Sequence, residues 1–261
     1  MLSNFAAPKF DSTTMRVLRR MRAGLQRGTD VARRALPQAC MLCATPSGNA
    51  LLCAACLADM PRMELACPRC ALPSATGGTC GACLARPPPF AQTLAAWRYG
   101  FPADRLLQAF KYGAALALAD VFARAIIDAV VAQQAPRPDR IAAVPLAPAR
   151  QRNRGFNQAQ EIARGVSSLT GVPLLRGLRR SRDSPPQAGL ARAARAANVR
   201  HAFVCEASLD GATIAVIDDV MTTGATVAAA STALLDAGAA RVDAWVVART
   251  PPPSSAQSSG P

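Results

Sequence analysis

The chain is short of histidine, lysine and aromatic side chains. Its 261 residues include one histidine, His201. A Ser–His or Cys–His catalytic set has no natural partner here, and a histidine-rich metal site is excluded. Lysine occurs only at Lys9 and Lys111, so 28 of the 30 basic residues are arginine. That bias fits a GC-rich coding sequence as much as a functional demand. Aromatic residues make up 5% of the chain, and few lie in its basic segments, so strong single-strand binding by base stacking is disfavoured. No run approaches the roughly 18 apolar residues of a membrane-spanning helix. The first fifteen residues contain Lys9 and Asp11 and lack the apolar core of a secretory signal. These absences lead us to expect a soluble cytoplasmic protein whose cysteines stay reduced.

Hydrophobic residues reach 51%, enough for one good-sized core plus a smaller module. The formal net charge is +14, which suits polyanions such as nucleic acid, nucleotides or phosphorylated sugars. Arginines crowd the segment 15–36, where a helix would bring Met15, Leu18 and Leu25 near one face. Residues 1–37 therefore read as a basic, partly helical or disordered arm.

Eight of the nine cysteines form four C-x-x-C pairs: Cys40/Cys43, Cys53/Cys56, Cys67/Cys70 and Cys80/Cys83. The unit C-x2-C-x9-C-x2-C occurs twice, 27 residues apart. Two thiolates on a tight turn grip one metal, and two such knuckles complete a tetrahedral zinc site. The sequential repeat favours the sets Cys40/Cys43/Cys53/Cys56 and Cys67/Cys70/Cys80/Cys83, with a cross-braced pairing left open. All ligands are thiolates, so both zincs are expected to be structural and to supply the folding energy of residues 38–86. Cys205, standing alone, reads as a small core residue.

A proline-rich stretch, RPPPF (86–90), separates this module from a domain over 90–250. Strands are expected at 93–99, 140–146, 212–219 and 241–249, with one or two short ones near 174–183. Helices are expected after Pro102, through 115–134, up to about Leu169, and from Gly224 to Gly238. Alternating strands and helices indicate α/β architecture with a parallel sheet, and ligands then sit beyond the carboxyl ends of the strands. Residues 251–261 read as a disordered tail.

At one such strand end the chain reads IAVIDDVMTTGAT (214–226). Residues Met221, Thr222, Thr223, Gly224, Ala225 and Thr226 lead from strand to helix. Backbone N–H groups at a helix start bind phosphate, and small side chains allow close approach. The spacing fits neither G-x-x-x-x-G-K-[ST] nor G-x-G-x-x-G. Asp218 and Asp219 would repel a phosphate unless they also held sugar hydroxyls, directly or through Mg²⁺. The motif thus describes a phosphate joined to a sugar diol.

IAVIDDVMTTGAT resembles the 5-phosphoribosyl pyrophosphate (PRPP) signature of type I phosphoribosyltransferases. Together with RGFNQAQEIA (154–163), the double zinc module, and Gln187, Leu190, Arg195, Asn198 and Phe203, it resembles the ComF family over about residues 38–249. That family comprises competence-associated, phosphoribosyltransferase-like proteins with an N-terminal zinc ribbon. Ala147 and Ala194 depart from it, standing where relatives often have histidine and glutamate. The resemblance implies a type I phosphoribosyltransferase-like parallel sheet flanked by helices, preceded by a small double zinc-ribbon module.

It further implies displacement of pyrophosphate from C1 of PRPP by a nitrogenous acceptor, with Mg²⁺ bound alongside PRPP. Asp218 and Asp219, the expected catalytic pair, would hold the ribose hydroxyls, and residues 221–226 the 5′-phosphate. Arg150, Arg152 and Arg154 suit bidentate contact with pyrophosphate. Asn157 and Gln158 would position that loop or open the next helix. Lys111 reads equally as a surface lysine or an active-site contact. Residues 183–198 would form a lid lacking lysine. The acceptor stays unidentified, and a homodimer is compatible with the class. A competing reading is a non-catalytic, nucleic-acid-binding accessory protein for uptake or processing of single-stranded DNA. Ordinary purine or pyrimidine salvage is a third, against which the zinc module argues.

Overall fold

The structure is a computed structural model, and it describes residues 38–113, 115–147, 151, 154–180 and 202–251. The basic arm, Arg150, Arg152, His201, the 183–198 segment and the tail beyond residue 251 lie outside the described residues. Contacts divide the chain into two units, Met1–Ala58 and Asp59–Pro261.

Within the first unit, β1 (Gln38–Ala39) pairs antiparallel with β2 (Pro46–Gly48), and α1 (Ala54–Ala58) follows. The turn between the strands is closed by Cys40 N–H to Thr45 C=O (2.8 Å) and Ala44 N–H to Cys40 C=O (2.8 Å). The same closure recurs 27 residues later in the second unit, from Cys67 N–H to Leu72 C=O (2.8 Å) and Ala71 N–H to Cys67 C=O (2.8 Å). Ala44 and Ala71 both take left-handed backbone, with φ of 59° and 53°. The sequence repeat is thus a repeat of knuckle geometry. In the second unit the knuckle continues into α2 (Gly81–Ala85).

The rest of the second unit is an α/β layer built on four parallel strands, β3 (Thr93–Arg98), β4 (Arg140–Ala143), β7 (Thr213–Met221) and β8 (Arg241–Arg249). Their spatial order is β3-β8-β7-β4. Residues 173–175 run along the free edge of β4, with Ile141 N–H bonded to Pro173 C=O and Leu175 N–H to Ile141 C=O. Short strands β5 (Leu178–Arg180) and β6 (Phe203–Cys205) pair antiparallel as a separate ribbon. The helices are α3 (Ala103–Tyr112), α4 (Leu118–Ala132), α5 (Gln158–Thr170) and α6 (Ala225–Asp236).

Near-continuous apolar runs in β7 and β8 reflect burial on both faces. Ile214 and Val216 join Val242, Ala244 and Val246 in a cluster with Val227, Ala230 and Leu234 of α6. The alternating residues Ala215, Ile217, Trp245 and Val247 point the other way and are equally buried. α4 and α5 pack closely at Gly165, where an added Cβ would lie 2.8 Å from the Ala123 Cβ. Phe90, expected within a proline linker, is a buried core residue instead. Its ring, the largest apolar surface of that stretch, joins the core cluster that also holds Ala95, Ala244 and Val246.

Two boundaries differ from expectation in ways that shape the site. β4 stops at Ala143, ahead of Pro145, which has no N–H to continue a ladder. β7 runs through Met221 because β8 pairs with it that far, matching Asp218 to Val246 and Met221 to Arg249. Asp218 and Asp219 are therefore strand residues held by the ladder, followed by two more before the turn.

Candidate functional site

Each cysteine set converges within its own unit. The sulfurs of Cys40, Cys43, Cys53 and Cys56 lie within 4.8 Å of one another, as do those of Cys67, Cys70, Cys80 and Cys83. This selects the sequential pairing over the cross-braced one. Cys43 and Cys53 Sγ are 3.7 Å apart, and so are Cys70 and Cys80 Sγ. Tetrahedral zinc with thiolate bonds of the usual length places its sulfurs about 3.8 Å apart, so both sets fit. Burial alone would raise the Cys40 and Cys67 thiols. Hydrogen bonds from neighbouring backbone N–H groups outweigh it and bring each down to about 6. Such cradles favour the thiolate form that metal binding needs. Both centres are zinc-binding sites of four cysteines each.

A second constellation lies at the carboxyl end of β7. Asp218 and Asp219 are adjacent and partly buried, and each accepts a hydrogen bond from the next backbone N–H. Burial, then the Asp219 charge, pushes the Asp218 carboxyl up to about 8, against pulls from the Asp219 N–H and Lys111. The turn that follows exposes Thr222, Thr223 and Thr226, while Met221 is buried beneath it at 2% exposure. Gly224 takes φ 81° and caps α6, and a Cβ there would meet Met221 Cε at 2.6 Å. Thr223 Oγ1 accepts from Ala225 N–H at 3.3 Å. The small-residue loop thus meets the N-terminal end of a twelve-residue helix, and Met221 serves as its floor.

Lys111 answers the question its sequence left open. It lies in the last turn of α3, ahead of Gly113, and its Nζ is 3.1 Å from Asp219 Oδ2. Phe110, fully buried against Phe122 and Phe156, fixes the rotation of that turn. Phe156 belongs to RGFNQ, so the same aromatic contact brings Arg154 alongside. The Arg154 guanidinium stacks 5.2 Å from the Tyr112 ring centre and donates to Gln158 Oε1 at 3.2 Å. Asn157 Nδ2 donates to Val144 C=O at 3.0 Å, tying the loop to the end of β4. Asn157 thus both positions the loop and precedes α5. Lys111, two carboxylates and an exposed small-residue turn occupy one strand end, and Arg154 stacks on Tyr112, the residue that follows Lys111.

The sequence matches the family model described as a double zinc ribbon domain over residues 31–84. A "DNA utilization protein YhgH" of Salmonella typhi is 31% identical over 223 residues, covering 82% of this chain and 98% of that one. The chain belongs to the ComF family. A "Competence protein F" of Haemophilus influenzae is 31% identical over 156 residues, covering 57% of this chain and 68% of that one. Among solved structures, the B. subtilis glutamine PRPP amidotransferase complexed with ADP and GMP overlays with a TM-score of 0.34 at 22% identity. The overlay covers 50% of this chain and 25% of that one. Hypoxanthine phosphoribosyl transferase of Trypanosoma cruzi overlays with a TM-score of 0.33 at 14% identity, covering 52% and 74%.

The parallel α/β sheet flanked by helices and the N-terminal ribbon agree with the architecture expected of a ComF member. Arg249 escaped the sequence reading. It ends an apolar strand run and there resembles a solvated terminus, but its side chain is buried beneath the loop. No helix among the described residues is long and apolar enough to cross a membrane.

Proposed function

We propose that the chain binds PRPP with Mg²⁺ at the carboxyl end of β7 and transfers the phosphoribosyl group to an acceptor, in a role linked to DNA utilisation. One observation carries this reading: an acidic pair runs directly into a small-residue helix-start loop at the end of β7, with Lys111 paired to Asp219. Two partly buried carboxylates offer the hard oxygen donors that Mg²⁺ takes together with substrate phosphates, so the residues fit that ion. When bound, it supplies charge neutralisation to the leaving pyrophosphate.

The chain's own residues do the rest. Asp218 and Asp219 accept hydrogen bonds from the ribose hydroxyls and orient the ring. Residues 222–226 direct N–H and hydroxyl donors at the 5′-phosphate. Lys111 holds Asp219 in place until substrate arrives. Arg154, with Arg150 and Arg152 on the same segment, meets the pyrophosphate. Charge builds on that leaving group while the sugar becomes cationic, so orientation and fixed charge are the sources of rate. The link to DNA utilisation draws on the names of the relatives, and the net charge of +14 supports contact with a polyanion.

That charge also favours a second reading, a non-catalytic accessory protein that binds single-stranded DNA. The two separate by ³¹P NMR of PRPP with Mg²⁺ and the zinc-loaded protein. Selective broadening of the 5′-phosphate resonance, with pyrophosphate appearing once a suitable nitrogenous acceptor is added, supports transfer. Unchanged PRPP spectra beside tight, salt-sensitive binding of single-stranded DNA would favour the accessory reading.

A further inference from the structure

Arg249 closes β8 with a side chain only 3% exposed. Its Nε donates to Cys70 C=O at 2.7 Å. Its Nη1 donates to Met221 C=O at 2.9 Å, to Thr250 C=O at 2.9 Å, and to Thr222 C=O. One end of the guanidinium therefore grips a cysteine of the second metal-binding set, and the other grips the first residues of the small-residue loop. Thr93 strengthens the same junction: its N–H bonds Pro68 C=O at 2.9 Å and its Oγ1 bonds Arg69 C=O at 2.6 Å. Three successive carbonyls of the knuckle, those of Pro68, Arg69 and Cys70, are thus held from the sheet.

Among the described residues no carboxylate lies within ion-pair distance of Arg249. A buried guanidinium without a counter-charge is costly. Four thiolates around one divalent zinc leave a net negative charge of about two on the neighbouring knuckle. The metal set thus supplies the counter-charge that the surrounding sheet lacks. It also stiffens the carbonyl that orients the guanidinium.

We propose that Arg249 is a positioning residue that couples metal occupancy of Cys67/Cys70/Cys80/Cys83 to the conformation of the loop 221–226. Its ligand consequence rests on the reading of that loop as the 5′-phosphate site. With metal bound, the knuckle fixes Arg249, and Arg249 fixes the Met221 and Thr222 carbonyls, so the loop's N–H groups face outward before substrate arrives. With metal lost, the guanidinium gives up Cys70 C=O and its counter-charge, and the loop slackens. The second ribbon then acts as part of the phosphate site. By linkage the coupling runs both ways, so filling the loop holds the second metal more tightly.

Hydrogen exchange followed by mass spectrometry tests this on the full chain, with zinc counted by native mass spectrometry. In the wild type, chelation that deprotects residues 66–84 also deprotects peptides spanning 218–230. Arg249→Met, still carrying two zincs, exchanges in 218–230 about fivefold faster, the effect of roughly one lost neutral hydrogen bond. Removing zinc from that variant adds little further exchange in 218–230. Arg249→Lys restores part of the protection. Deprotection of 66–84 with 218–230 unchanged, or an Arg249→Met variant whose 218–230 segment exchanges as in the wild type, overturns the proposal. If Arg249→Met does not fold, the wild-type chelation series decides alone. Parallel calorimetry with Mg²⁺ and PRPP keeps the two readings apart. Coupled exchange without PRPP binding would sink the substrate assignment and leave the coupling standing.

Discussion

If the site binds PRPP as proposed, raising the pH from 6.5 toward 8 is expected to tighten that binding by about tenfold per unit, because Asp218 would have to lose a proton to accept hydrogen bonds from the ribose or to meet Mg²⁺. Its carboxyl titrates near 8 under burial and the Asp219 charge. At pH 7 only about a tenth of such a group is ionised, so binding there releases roughly 0.9 proton. Above pH 8 the affinity levels off. The window starts at 6.5 because phosphate groups on the ligand titrate near 6. Calorimetry from pH 6.5 to 9, in buffers of differing ionisation enthalpy, yields both the affinity and the proton count. The ligand-free protein responds in the opposite sense. A folded-state value above the ordinary 3.8 favours the protonated form in the fold, so that contribution to stability is complete below about pH 4 and is lost as the pH rises through 8. Thermal midpoints without ligand therefore decline across that window. A dissociation constant flat from pH 6.5 to 9, with no proton released, would show that Asp218 does not gate binding.

Other perturbations give separable results. Lys111→Met removes the cation 3.1 Å from Asp219, so the midpoint of the binding-versus-pH curve moves to higher pH, and affinity at pH 7 falls about fivefold, as expected for a partly exposed pair. An unmoved midpoint would show that Lys111 is electrostatically idle. Gly224→Ala forces a side chain onto φ 81° and against Met221, costing about 1–2 kcal/mol and lowering the thermal midpoint by roughly 2–8 °C in a scanning calorimeter. Cys43→Ser lowers bound zinc from two to one per chain by native mass spectrometry and reduces soluble yield. Two retained zincs would contradict the assignment of four cysteine ligands to each metal.

The zinc sets were legible in the sequence because ligand spacing is a local property. Each set spans 17 residues, and a nine-residue link suffices to fold one knuckle onto the next. β7 and β8 were legible because burial on both faces leaves uninterrupted apolar runs. The acid pair and the glycine-centred turn were legible because an apolar strand run, two acids and a run of small residues ending at a helix start are contiguous in the chain. What stayed hidden depends on contacts remote in the chain. Lys111 is 108 residues from Asp219, and only the burial of Phe110 turns it toward β7. Arg249 reaches Cys70 across 179 residues, and nothing local separates it from a solvated strand end. The length of β7 was missed for a similar reason: pairing with β8, rather than its own composition, carries it through Met221.

Asp218 and Asp219 with the loop 222–226 form the proposed PRPP site. Calorimetric titration of the zinc-loaded protein with PRPP and Mg²⁺ at pH 8, beside Asp218→Asn/Asp219→Asn, tests it most directly. Micromolar-range binding is expected of the wild type and none of the double variant, with zinc content and fold unchanged. A folded wild type that binds no PRPP, or a double variant that binds it equally well, would contradict the claim.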